Sequence, residues 1–115
     1  MRDSQITLKR QNQILLSGVK TAASFTTRLR GLMFYRTFPP IPGLLLYPCN
    51  RIHTFWMNFP LDLIYLDRTG NVLKTVAGFL PAHIGPKVKH SYYILETPAG
   101  TIKSAKIETG DHLLW

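Results

Sequence analysis

The amino-acid sequence predicts a mainly β fold with one or two short helices, and three observations carry the prediction. Eight glycines and eight prolines supply many turns, which suits short strands better than helices. The densest apolar and aromatic run, from Cys49 to Asp67, is rich in residues that favour a pleated, half-buried surface. It ends in Asp67-Arg68-Thr69-Gly70, a turn signature that leads into a second apolar run from Val72. A chain of 115 residues, 45% hydrophobic and 17% charged, fits one domain over residues 1–115 with one core.

The elements follow in order. Ile6 and Leu8 alternate with polar residues, Gln11 and Asn12 break the pattern, and Ile14 to Val19 resume it, which predicts a hairpin of two strands. Ala22 to Phe34 changes character. Thr26 or Thr27 caps a short helix whose Leu29, Leu32 and Met33 share one side, with Arg28 and Arg30 on different sides and Gly31 weakening it. Arg36 to Pro42, with three prolines, is a loop, and Leu44 to Tyr47 is a short buried strand closed by Pro48. Ile52, Phe55, Trp56 and Met57 then predict a strand, Pro60 a corner, and Leu61 to Leu66 a further strand. Val72 to Leu80 is the next, with a bulge at Gly78. Pro81 to His90 is a loop long enough to form a functional rim. A strand from Tyr92 to Glu96, a turn at Pro98 to Gly100, one or two helical turns capped by Thr101, and a last strand from His112 to Trp115 complete the chain.

Chemistry-bearing residues are few. Asp62 lies inside a strongly apolar strand, so it either faces solvent or a cleft, or has a partner that keeps it there. Glu96 is the candidate to meet Asp62 or an arginine across the sheet, and Arg28 or Arg30 is the candidate cation for either carboxylate. Asp62 and Asp67 are five apart, on opposite faces of a regular strand, and so are poor partners for acid–base work on a glycoside. Asp67 instead closes its turn. Cys49 and His53, with Asp62, are the residues from which a metal-dependent or nucleophilic site would be built. No C-x-x-C or H-x-x-x-H spacing exists, so no metal and no cofactor is expected. No G-x-S-x-G, P-loop or dinucleotide fingerprint occurs either.

The blocks R-L-R-G-L-M (Arg28 to Met33), F-W-M (Phe55 to Met57), P-L-D-L-I-Y-L-D (Pro60 to Asp67), L-E-x-P-A-G (Leu95 to Gly100) and the late Gly110-Asp111 closely resemble the DUF192 (UPF0127) family. The resemblance covers nearly all of the chain after about residue 18. It implies a small all-β, jelly-roll-like barrel or sandwich, onto which the R-x-R-G-L-M segment packs. It implies no function. Many members read F-W-M-K-N-T before P-L-D. Here Asn58 and Phe59 follow Met57, without that basic residue and hydroxyl, and His53 and Thr54 precede Phe55.

Fourteen Lys and Arg against six Asp and Glu give a net charge of +8, which favours an anionic ligand or partner. Nucleic acid is not supported by a motif: Phe55 and Trp56 are adjacent, so on a strand they point to opposite faces and one of them enters the core. A single cysteine makes no internal disulfide, no stretch reaches the length of a membrane span, and Met1 to Asn12 lacks a signal-peptide core, so a cytoplasmic location is expected. The expected function is a non-enzymatic ligand- or partner-binding domain with a cleft near His53, Asp62, Trp56, Glu96 and the Arg28 to Arg30 segment. The alternatives are a metal- or Cys/His-dependent hydrolase-like enzyme and a basic-surface module for nucleic acid or protein.

Overall fold

The computed structural model describes residues 5–23, 32 and 35–115. The short helix expected over Ala22 to Phe34, and with it Arg28 and Arg30, lies outside the described residues. Among the described residues the strands are β1 (Gln5–Arg10), β2 (Gln13–Ala22), β3 (Leu44–Leu46), β4 (Leu61–Leu66), β5 (Val72–Phe79), β6 (Tyr93–Pro98) and β7 (Leu113–Leu114), with a short helix, α1 (Thr101–Ala105), between β6 and β7. These seven strands form one curled sheet, a half-barrel, in the order β5-β4-β6-β3-β2-β1-β7. The all-β class is as the sequence predicts. All seven of these strands share one sheet, and β2 runs parallel to β3. A parallel pair needs a long connection, and residues 23–43 provide it.

Local chemistry explains the strand ends. Gln11 takes a positive φ of 56° in the β1–β2 turn. Asp67 closes the β4–β5 turn: its Oδ1 accepts from the backbone N–H groups of Thr69 and Asn71, each at 2.9 Å. Partial burial pushes that carboxyl up, but the bonds from Asn71 and Thr69 together outweigh it and hold it near 2. Gly70 follows at φ +94°, where a Cβ would lie 2.2 Å from the Leu113 carbonyl oxygen. Gly70→Ala combines left-handed strain with a backbone collision, and is expected to lower stability by roughly 3 kcal/mol in a urea titration. A change of less than about 1 kcal/mol would mean that the turn and β7 shift at little cost.

Both faces of the sheet centre are covered, which is why β4 is buried at all six positions and reads as a nearly continuous apolar run. Leu61, Leu63 and Tyr65 point to one face, with Ile94, Leu44, Leu46, Ile52 and Met57. Ile64 and Leu66 point to the other, with Leu8, Val19, Leu95, Leu113 and the helix-end residue Ile107. The first face is roofed by the segment from Cys49 to Pro60 and the second by α1 and the β1–β2 hairpin. Arg10 fastens the second roof. It donates to the carbonyls of Lys106 at 2.7 Å and Ala105 at 3.1 Å, at the negative end of α1, and pairs with Asp111 at 2.9 Å.

Cys49 to Met57 departs from the strand that its aromatic content predicts. Only His53 makes a ladder contact, an isolated bridge to Ile84. The segment runs across the first core face rather than along a neighbouring strand. Its backbone pairs with the loop after β5: Val88 N–H to Asn50 at 3.1 Å, Gly85 N–H to Ile52 at 2.8 Å, and Thr54 N–H to His83 at 2.8 Å. β propensity measures how well a side chain fits a half-buried pleat, and here Ile52 and Met57 are buried while Phe55 and Trp56 are not.

Candidate functional site

Thr54 holds the two loops together. Its side chain is fully buried; its Oγ1 donates to the Leu80 carbonyl at 2.7 Å and accepts from the His83 N–H at 3.0 Å. Its own carbonyl accepts from Ala82 at 2.9 Å and from Met57 at 3.2 Å. The Met57 bond closes a four-residue turn, Thr54 to Met57, with Trp56 in its third position at φ +62°. That position normally takes glycine, because a Cβ there costs about 1–2 kcal/mol. From below, Tyr65 donates its hydroxyl to the Pro86 carbonyl at 2.9 Å, and burial foremost, with Cys49 and Glu96 adding to it, pushes that hydroxyl up to about 12.

The turn presents a cluster of rings. His53 and Phe55 stack with centroids 4.9 Å apart and planes 25° from parallel. Trp56 stands edge-on to both, 6.3 Å from His53 and 6.2 Å from Phe55. Trp56 is 63% exposed and Phe55 38%, and Leu80 and Ile84 across the loop pair are exposed as well. The Phe55 N–H donates to His53 Nδ1 at 3.3 Å. Both aromatics therefore lie on the outside, against the expectation that one enters the core. The strand rule of alternating faces does not apply in a turn.

Asp62 takes the second of the two alternatives open to it. It is 1% exposed and is held by backbone partners. Its Oδ1 accepts from Gly78 N–H at 2.9 Å, and its Oδ2 from Gly100 at 3.0 Å and Ile102 at 2.9 Å. The bulge expected at Gly78 is present, with φ +64°, and it turns a β5 N–H toward the carboxylate. The other two donors are the open N–H groups at the start of α1, so Asp62, not Thr101, caps the helix from a strand about 40 positions away. Asp62 alternates with Leu61 and Leu63 and so points to the α1 side, whereas His53 sits in the roof of the opposite face. The sheet stands between these residues and no shared cleft holds both.

Glu96 points to the first face, with Leu63 and Leu44 as its cross-strand neighbours. It is 4% exposed, and burial pushes its carboxyl up to about 8. Among the described residues its carboxyl has no hydrogen-bond partner, and Asp62 is on the other face. Cys49 donates its thiol to the Arg51 carbonyl at 3.3 Å, and among the described residues no group of three or more His, Cys, Asp and Glu could hold a metal ion. No helix among them is long and apolar enough to cross a membrane. The sequence reading missed Thr54 and Phe55. The available signal was the pair of loops itself, long and flanked by prolines, on which a buried threonine and exposed rings meet.

The family model that matches residues 6–115 is DUF192, described as an uncharacterized group. A UPF0127 protein of Thermococcus kodakarensis is 33% identical over 101 residues, which cover 84% of this chain and 64% of that protein. One from Pyrococcus horikoshii is also 33% identical, over 84% of this chain and 86% of its own. The chain thus spans less than two thirds of the Thermococcus relative's length. Two solved structures share the fold at low identity. One is a protein of unknown function from Novosphingobium aromaticivorans, with TM-score 0.82 and 19% identity over 98% of this chain and 85% of that one. The other, described as a putative transcription regulator, is from Sinorhizobium meliloti, with TM-score 0.78 and 21% identity over 98% and 93% of the two chains.

Proposed function

The chain belongs to the DUF192 family, and for this member of it we propose a non-enzymatic binding role in which the paired loops, residues 49–60 and 80–90, present His53, Phe55 and Trp56 to a partner. One observation carries the reading: a tryptophan occupies the glycine position of a tight turn, 63% exposed, beside two further rings. Strain of this kind persists only where the surroundings over-determine it, and it clusters where a side chain must be aimed. Thr54 and Tyr65 supply the rigid support. Of the residues expected from sequence, His53 and Trp56 belong to this platform, and Asp62 and Glu96 belong to the body beneath it.

The test separates binding from architecture with one substitution. Trp56→Gly removes the ring and relieves the turn, so it should melt at or above the parent. Three probes are titrated against both proteins: single-stranded oligo(dT), a neutral oligosaccharide and a polyglutamate peptide. The parent is expected to bind at least one, and Trp56→Gly to bind it about tenfold more weakly. Phe55→Ala should act in the same direction. If the parent binds none, or if Trp56→Gly binds as well as the parent, the platform reading is wrong.

A further inference from the structure

We propose that the platform takes single-stranded nucleic acid, with bases stacking on Trp56 and Phe55 and the phosphates following Arg51, Lys87 and Lys89. The inference rests on the binding role given above and names the class of its ligand. Two arrangements support it, the exposed rings and the sorting of charge.

The charge is sorted by position. Six acidic residues oppose fourteen Lys and Arg. Asp62 and Glu96 are buried. Asp67 closes the β4–β5 turn, and Glu108 and Asp111 lie beside β7, whose neighbour His112 bridges to Asn71 in that same turn. The sixth, Asp3, lies outside the described residues. The platform is at the other end of this hairpin, where β4 begins and β5 ends. Its loops, residues 49–60 and 80–90, contain no Asp or Glu at all. They contain Arg51, Lys87 and Lys89, all exposed. The Val88 to Asn50 bond joins the chain neighbours of both lysines to the chain neighbour of Arg51, so the three cations lie on the same two paired backbone segments that carry the rings.

Exposed rings on a pair of loops that also carry exposed cations and contain no Asp or Glu suit a single strand. Every base has a π face to stack, and each phosphate meets a cation. A duplex keeps its bases stacked on one another and offers these rings nothing. A neutral sugar would use the rings but not the cations, and an acidic peptide the cations but not the rings.

The experiment measures fluorescence anisotropy of labelled oligo(dT), with the matching duplex as control, across a range of salt. The parent is expected to prefer the single strand. With three phosphates neutralised, the slope of log affinity against log salt should be about −2. Lys87→Ala and Lys89→Ala should each flatten it by about 0.7. Trp56→Gly and Phe55→Ala should weaken binding about tenfold or more with the slope unchanged. If the oligosaccharide or peptide binds in a Trp56-dependent way and oligo(dT) does not, the nucleic-acid inference falls and the platform stands. If oligo(dT) binds equally to parent and Trp56→Gly, or no better than the duplex, adsorption to a basic surface explains it and the inference falls. In the first of those two cases the platform reading falls with it.

Discussion

Asp62→Ala is expected to melt roughly 15 °C below the parent, the largest loss foreseen for a single side chain in this protein. The carboxylate accepts three backbone N–H bonds, from Gly78, Gly100 and Ile102, at 2.9 to 3.0 Å. Bonds to a charged acceptor are worth about 1.5–3 kcal/mol each. Gly78 and Gly100 are exposed enough for water to recover part of the loss, which leaves about 4 kcal/mol. Asp62→Asn should fall between the two, because the amide keeps one accepting oxygen but turns an NH2 group toward the remaining donors. The loss has a location as well as a size. The carboxylate joins the β5 bulge to the start of α1, so amide exchange at Gly78 and Ile102 should accelerate before exchange in β4 does. Melting of both variants within about 2 °C of the parent would remove Asp62 from the architecture and return it to the ligand-facing groups. His53→Ala is the natural companion. Its ring lies in the exposed cluster and receives one bond from Phe55 at 3.3 Å, so its removal should leave the melting point close to the parent's.

Glu96 yields the second large effect, and it depends on pH. The folded protein holds this carboxyl near 8, against an ordinary value of 4.5, because burial disfavours its charge. Between those values the unfolded chain has released the proton and the folded protein retains it. The unfolded state therefore binds fewer protons, and stability falls as pH rises through this window. The expected slope is about 1.4 kcal/mol per pH unit, levelling off once the folded carboxyl has ionised above about 8. Asp67 acts in the opposite sense and elsewhere. Held near 2 in the folded protein, it adds stability that is present above its ordinary value of 3.8 and lost as the pH falls toward 2. Glu96→Gln cannot ionise, so urea titrations between about pH 4.5 and 8 should show a flat profile that crosses above the parent's at the alkaline end. A parent profile that is flat over that window would mean that the carboxyl ionises in the folded state near its ordinary value.

Much of this fold is local in origin and was legible in the chain. Alternation in β1 and β2, the Asp67 to Gly70 turn, the bulge at Gly78 and the short helix after Gly100 depend on residues within a few positions of one another. The clear miss, the strand expected at Ile52 to Met57, occurs where aromatic residues serve a surface rather than a pleat. The candidate site was half legible. His53 and Trp56 were singled out with Cys49 and Asp62 because chemistry-bearing residues crowd one stretch. Sequence proximity is a poor guide to which face of a sheet a residue reaches, and it joined groups that the sheet keeps apart.

The class of fold, the position of nearly every described strand and turn, the family and the excess of positive charge all follow from the amino-acid sequence. Those properties are sums of short-range preferences, or are written directly in composition. What the polar groups do was settled only by the packing of the curled sheet. Asp62 became a helix cap because Gly100 and Ile102 fold back to it from about 40 positions away. Glu96 became a buried, protonated acid because Leu44 and Leu63 flank it from strands β3 and β4. Phe55 and Trp56 became surface because Thr54 is fastened to a loop nearly 30 positions further along. A carboxylate or a ring has no preference of its own among these fates. The partner that reaches it sets the outcome, and partners distant in the chain are chosen only when the whole sheet has assembled.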